Sequence, residues 1–579
     1  MYRQNQLATA LRALVSLCVL TLIGWPLQGL GAQQTIRALY DAGCQAIELP
    51  DDSELSDFQA LRRVYSLESY AGRPIGRIKI YNLPVFDLTN PDENSGFTRL
   101  VNRIHFPTRH YVIRRQILFA EGEALDAREI TESERILRSN SFLSDAAVLP
   151  LQQCGDNLDL VIVVRDLWTM MPKFYISRTG GFTKYGLALE DNNFLGTGNA
   201  LTLLYENDRE RDTSGIGFAT RNLFGSRIAL TSSYADASDG YTRRLNVEQP
   251  FYALDTSLSY GIHLNENSLE ESLQALNQTL AVFEHDNTDY DIFAGFSPGL
   301  IDGFTRRYVV GYSRSEDLFK TLPGVATPPG TIPADRRLAY PWFRFSVTED
   351  DYAVYRNLND IHRTEDVSVG LQFSSLIGYA GDSVGSDLAR WIFSLSYSDS
   401  PLVAERHLLR TRVSVTGQRD RRSDRLVSTL SRVGLNYFAL LNAKQRFYVG
   451  LLHEQGQNLA IDELLVLGGD EGLRGYPSEF LLGDNRSLVN LEFRHFFDAH
   501  FLNVFRFAGV IFFDAGRTDG ESVTSIANGE WLKSTGLGLR MNSSKTNISK
   551  IVHVDIAFPL DQRDLVGDYE VRVFGSTSF

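Results

Sequence analysis

Past its first thirty or so residues the chain has no apolar run approaching the ~18 residues a membrane-crossing helix needs, so a helical anchor is excluded as its way of spanning a bilayer. Cysteine is nearly absent: Cys18, Cys44 and Cys154 are the three in 579 residues, too few for a thiol-rich framework. Basic residues are in deficit, 57 Lys and Arg against 71 Asp and Glu, and the formal net charge of -14 leaves no surplus to neutralise nucleic-acid phosphates. No glycine loop ending in Lys-Ser or Lys-Thr occurs, so ATP is not implied. The ten histidines fall in no metal-ligand spacing. The string GDSVG around Ser383 lacks the strand-then-helix context that a nucleophile elbow needs. No enzyme chemistry, cofactor or metal is expected.

Aromatics and glycine are plentiful, with 25 Tyr, 35 Phe and 46 Gly. A mean hydropathy of -0.17 suits a membrane β-barrel as well as a soluble protein, because barrel strands of about 10 residues alternate an apolar with a polar face. Arg3, Arg12 and the apolar stretch from Ala13 to Leu30 predict a signal peptide over residues 1–31, which removes Cys18. Cys44 and Cys154 remain, as a disulfide or as two separate buried thiols. Residues 32–73 read as a helical leader or a degenerate domain. Residues 74–170 run strand, helices, strand, strand, as in a compact α+β module. From about Lys173 to Phe579 alternating segments recur between turn residues. Their number lies between 16 and 20, and 16 is the expectation for a transmembrane antiparallel β-barrel over residues 171–579. The fold class is therefore mostly β.

One stretch stands apart, LGGDEGLRGYPSEFLLGDNRSLVNLEFR from Leu467 to Arg494. Gly468 and Gly469 open a polar loop that carries Arg474, Gly475 and Tyr476 and then feeds a strand. In that strand Val489, Leu491 and Phe493 point one way, and Asn490, Glu492 and Arg494 the other. The same alternation turns Ala508, Val510, Phe512 and Asp514 inward, opposite Phe505, Phe507, Ile511 and Phe513. It turns Arg540 and Asp555 inward as well. An arginine carried into the barrel on a folded-in loop needs a carboxylate, and either Asp514 or Glu492 could take it as a bidentate pair. Gly468, Gly469 and Gly475 would let the loop turn tightly and approach the wall.

Four segments in order carry a resemblance: GLALEDNNFLGTGNA at Gly186 to Ala200, LRGY at Leu473 to Tyr476, FFDAG with Phe512, Asp514 and Gly516, and GLGLRMN with VHVDIAFPL from Gly536 to Leu560. Together they resemble the outer-membrane assembly-factor superfamily, BamA/TamA-like, with its bacterial surface antigen-type C-terminal region. Residues 74–170 resemble its POTRA domain. The closing strand, with Tyr569, Val571, Val573 and Phe579 on one face, resembles the C-terminal signal of outer-membrane barrels. The resemblance implies a protein of a Gram-negative outer membrane whose N-terminal domain lies in the periplasm, and a contact from Arg474 to Asp514. It implies assembly or insertion of outer-membrane proteins at a lateral seam between the strand near Leu187 and the one ending at Phe579. The alternative is a transporter that secretes or translocates a protein. The implied partners are an unfolded client, outer-membrane lipids, and a periplasmic or inner-membrane protein reached through the POTRA domain.

Overall fold

The computed structural model describes residues 35–51, 54–179, 182–276, 278–324, 328, 330–520, 529–546 and 551–576. The signal peptide expected over residues 1–31 and the terminal Phe579 lie outside them. The chain divides into two compact units. The first runs through Phe174 and takes in Gly186–Tyr205 and Lys545–Asn547; the second holds Tyr175–Tyr185, Glu206–Ser544 and Ile548–Phe579.

The first unit is built on a four-stranded sheet of β1 (Gln45–Ala46), β2 (Ile75–Leu83), β3 (Leu143–Cys154) and β4 (Asn157–Asp166), in the order β1-β3-β4-β2. The strand β4 is central because its run LDLVIVV is apolar at nearly every position, and only a strand covered on both faces tolerates that. Its even positions, Leu158, Leu160, Ile162 and Val164, share a core with Val112, Ile113, Ile130 and Leu137. Its odd positions, Val161 and Val163, pack with Ile36, Leu55, Phe58 and Leu61. The first core is roofed by helices from the β2–β3 connection, and the second by residues 36–65. Helix α1 (Phe58–Val64) is the one α-helix described within residues 35–73, the rest being short 3-10 turns and β1. Three more follow: α2 (Gly96–Ile104), α3 (His110–Arg114) and α4 (Ala127–Arg138).

Cys44 and Cys154 form a disulfide across a sequence separation of 110 residues. It ties the segment before α1 to the end of β3, beside the pairing of Gln45 with Gln153. Replacing Cys154 with serine is expected to cost about 4 kcal/mol through the lost restraint on so long a loop. Limited proteolysis should then nick residues 35–70 at denaturant concentrations that leave the native chain intact.

Among the described residues the second architecture is a closed antiparallel barrel that begins at Met171–Thr179 and ends at Glu570–Ser576. It has 20 spanning strands, not the 16 expected. Two further segments in the closed order, Leu300–Ile301 and Leu402–Ala404, are turn stubs, since the long strands on either side of each pair directly. Twenty is the upper end of the 16 to 20 read from the sequence, and 16 was the expectation because short strands such as Gln372–Ala380 carry weak alternation. The outer face is apolar all the way round: Ile216, Ile262, Ile292, Val310, Ile377, Val433, Ile511, Leu537 and Ile556 are exposed. A closed sheet has no unpaired edge, and with an apolar exterior it meets the bilayer's demand that every backbone group be paired internally.

The barrel closes where Glu570–Ser576 meets Met171–Thr179. The seam therefore does not involve the strand near Leu187, which belongs to the next strand, Phe182–Asp191. The basic, broken pattern of KFYISRT hid the true first strand. Long connections at one end, 322–335, 458–484 and 520–531, define a loop end; short ones such as 441–444 and 502–504 define a turn end. One of these long connections is bounded by strands that run to Thr321 and restart at Arg336.

Candidate functional site

From the loop end a small hairpin, Leu465–Leu467 paired with Leu481–Gly483, carries the LRGY tip down the inner face. Its shape follows from glycine. Gly472 and Gly475 have φ of +104° and +91°, which side-chain-bearing residues rarely adopt. At Gly475 an added Cβ would meet Ala557 and Pro559, so the loop lies directly on the wall. Gly468 has a different role: a Cβ there would collide with the carbonyl of Pro477 inside the hairpin. Gly469 contributes its carbonyl, which accepts from Arg572 Nη2 at 2.7 Å. Leu473, Tyr476 and Phe480 are fully buried with Leu467, Leu488 and Leu532. Tyr476 donates its hydroxyl to the Lys533 carbonyl at 2.8 Å.

Arg474 is the centre of the site. Its Nε and Nη2 each donate to Asp514 at 2.7 Å, a fork-to-fork pair. Its Nη1 lies 2.9 Å from Glu492, and its guanidinium stacks 3.6 Å from the centroid of Phe512. The sequence left Asp514 and Glu492 as alternatives, and the arginine engages both. Asp514 is held in turn by Asn490, whose amide donates at 2.7 Å to it and at 2.9 Å to the carbonyl of Gly472. Gly516 makes room for Leu467 of the hairpin. Arg540 and Asp555 pair at 2.5 Å on neighbouring strands, in space left by Gly538, and form a separate buried ion pair.

Three elements escaped the sequence reading. Glu570 on the closing strand accepts from the Gly475 amide at 3.0 Å, and with Arg572 it makes that strand a second anchor for the loop. Their inward parity was visible opposite Tyr569 and Val571, both exposed, yet the strand reads first as a terminal signal. Gly472 passed as one more loop glycine. The third is a second folded-in hairpin, Tyr352–Arg356 with Thr364–Ser368, on the turn-end connection of residues 350–371. The Glu365 carboxylate shapes its tip by accepting the amides of Leu358, Asn359 and Asp360 at 2.8 to 3.2 Å. Leu358 packs on Leu408 and Phe438, and Ile361 packs on Phe496, Ala508 and Ile551. No strand-length alternation marks this segment, and its tip reads as an ordinary polar turn.

The two hairpins meet on one wall strand, Asn485–Phe501. Glu492 binds Arg474 on its loop-end side and Arg494 Nε at 2.8 Å on the other. Arg494 donates at 3.3 Å to the carbonyl of Leu358 in the turn-end hairpin and stacks 4.3 Å over Tyr448. Two guanidiniums and two carboxylates thus balance in a buried line from Asp514 to Arg494, and removing any one leaves a charge stranded.

No family model and no curated protein matches the chain. Among solved structures it is similar to BamA from Haemophilus ducreyi lacking POTRA domains 1-3, with 11% identity and a TM-score of 0.39 over 94% of this chain and 96% of that one. It is also similar to CdiB from Acinetobacter baumannii, with 12% identity and a TM-score of 0.43 over 99% and 97% of the two chains. CdiB from Escherichia coli is a further neighbour, with 11% identity and a TM-score of 0.35 over 91% and 97%.

Proposed function

We propose that the chain is an assembly factor of the outer membrane, which guides unfolded client chains to a lateral seam of its barrel. The observation that carries this reading is the seam itself. The closing strand, Glu570–Ser576, meets the first, Met171–Thr179, with Val573 opposite Arg178, so the two ends of the sheet meet at one place in the wall. A seam that opens offers backbone donors and acceptors to an incoming strand. The LRGY hairpin grips the closing strand through Glu570 and Arg572 while Arg474 fixes it to Asp514, so the loop holds one lip of the seam to the wall. In this reading the turn end faces the periplasm and the α+β module is a POTRA-like domain that receives clients or a periplasmic or inner-membrane partner.

A second reading, export of a protein through the lumen, draws on the width of a 20-strand wall. Joining the seam separates the two. Arg178→Cys with Val573→Cys places thiols on directly opposed residues of an antiparallel pair, within disulfide reach. In proteoliposomes supplied with an unfolded barrel client, the oxidised variant is expected to lose most insertion and recover it on reduction, beside a reduced native control. Full insertion by the locked barrel would contradict the seam, and export that survives locking would favour the lumen.

A further inference from the structure

We infer that helix α2 of the N-terminal module is a docking face for an anionic phospholipid surface. Between Ser95 and Ala120 the sequence carries Arg99, Arg103, Arg109, Arg114 and Arg115 and no Asp or Glu, in a chain whose net charge is -14. Among the described residues one of the five is paired with an acid, Arg114 with Glu121 at 3.0 Å. Within α2 the buried side chains are Thr98 and Val101, while Phe97 and Leu100 stand 57% and 53% exposed. Phe97 and Leu100 are three apart and so share a face, and Arg99 and Arg103 border them one helical turn from each other. Apolar rings and aliphatic chains flanked by arginine, on a helix of nine residues that is too short to span, are the composition of a helix lying in a headgroup layer.

What covers this face is indicated by its neighbour. The ring of Phe97 makes an edge contact with Trp168 at 6.1 Å. Trp168 lies three residues before Met171, where the first spanning strand begins, so the chain has about 10 Å to run before it enters the bilayer. Tryptophan at that level is an interfacial residue, and the exposed face of α2 continues from it. Phe106, exposed just beyond the helix, extends the apolar strip. A phosphate-bearing surface satisfies the arginines and the apolar side chains together.

This inference rests on the reading of the barrel as membrane-inserted, and the test separates the two. The full chain carrying Leu100→Cys, labelled with an environment-sensitive fluorophore, is placed in nanodiscs of phosphatidylcholine alone or with phosphatidylglycerol, with spin-labelled lipid as quencher. Val64→Cys, on an exposed site of α1, is the control. Heat-modifiable mobility on gels confirms that each barrel is inserted before quenching is read. Quenching at residue 100 should exceed that at residue 64, rise with phosphatidylglycerol and fall with salt. Arg99→Glu and Arg103→Glu should each lower lipid occupancy about fivefold. Equal quenching at both positions in inserted barrels, or no dependence on anionic lipid, would overturn the inference. Protection of residue 100 that appears only when an acidic unfolded client is added would overturn it in favour of a protein-docking face.

Discussion

Arg474→Ala is expected to lower client insertion at least tenfold while leaving the barrel folded. The substitution strands the buried Asp514 without its guanidinium and leaves Glu492 to Arg494 alone. Breaking a buried pair by removing one partner costs about 3–5 kcal/mol, which exceeds what the small Leu465–Leu467 ladder returns. The loop then leaves the wall and releases its hold on Glu570 and Arg572. Protease access to residues 468–480 should rise in step with the loss of insertion. Arg474→Lys should rescue little, because one ammonium cannot span Asp514 and Glu492 while stacking on Phe512. Asp514→Asn should weaken the contact less, since its amide oxygen still accepts one of the two bonds.

Glu492→Ala is expected to act on conductance rather than on insertion alone. This carboxylate is the joint between Arg474 of the loop-end hairpin and Arg494, which reaches the turn-end hairpin at Leu358. Its loss leaves Arg494 without its acid and Arg474 with Asp514 alone, and loosens both hairpins at once. A cost of about 3 kcal/mol corresponds to a rise of roughly 100-fold in the ratio of open to closed events in planar bilayers. Arg474→Ala frees one hairpin only and should give a smaller rise. Equal conductance for native and Glu492→Ala barrels would show that the hairpins do not share this joint.

Alternation made much of this structure legible. The inward set Glu492, Arg494, Asp514, Arg540 and Asp555 is buried as the period of two requires. The contact of Arg474 with Asp514 was implied by the family resemblance, while the residues alone left Asp514 and Glu492 as alternatives for the arginine. What stayed hidden has physical causes. Met171–Thr179 lacks clean alternation, so the seam was assigned one strand too late. Strand number depends on hydrogen-bond closure around the whole wall, which no local pattern reports, and 20 strands replaced the expected 16. The turn-end hairpin owes its course to Glu365 capping three amides of its own tip and to Arg494 beneath that tip, the latter a contact made across 136 residues of sequence.

The most direct test is quantitative outer-membrane proteomics on cells carrying Arg474→Ala or Asp514→Asn at native barrel levels. A shared loss of the same group of barrel proteins in both variants is the expected result for an assembly factor that depends on this contact. An unchanged barrel-protein profile, with one exported protein missing from the medium, would contradict assembly and assign the chain to dedicated secretion.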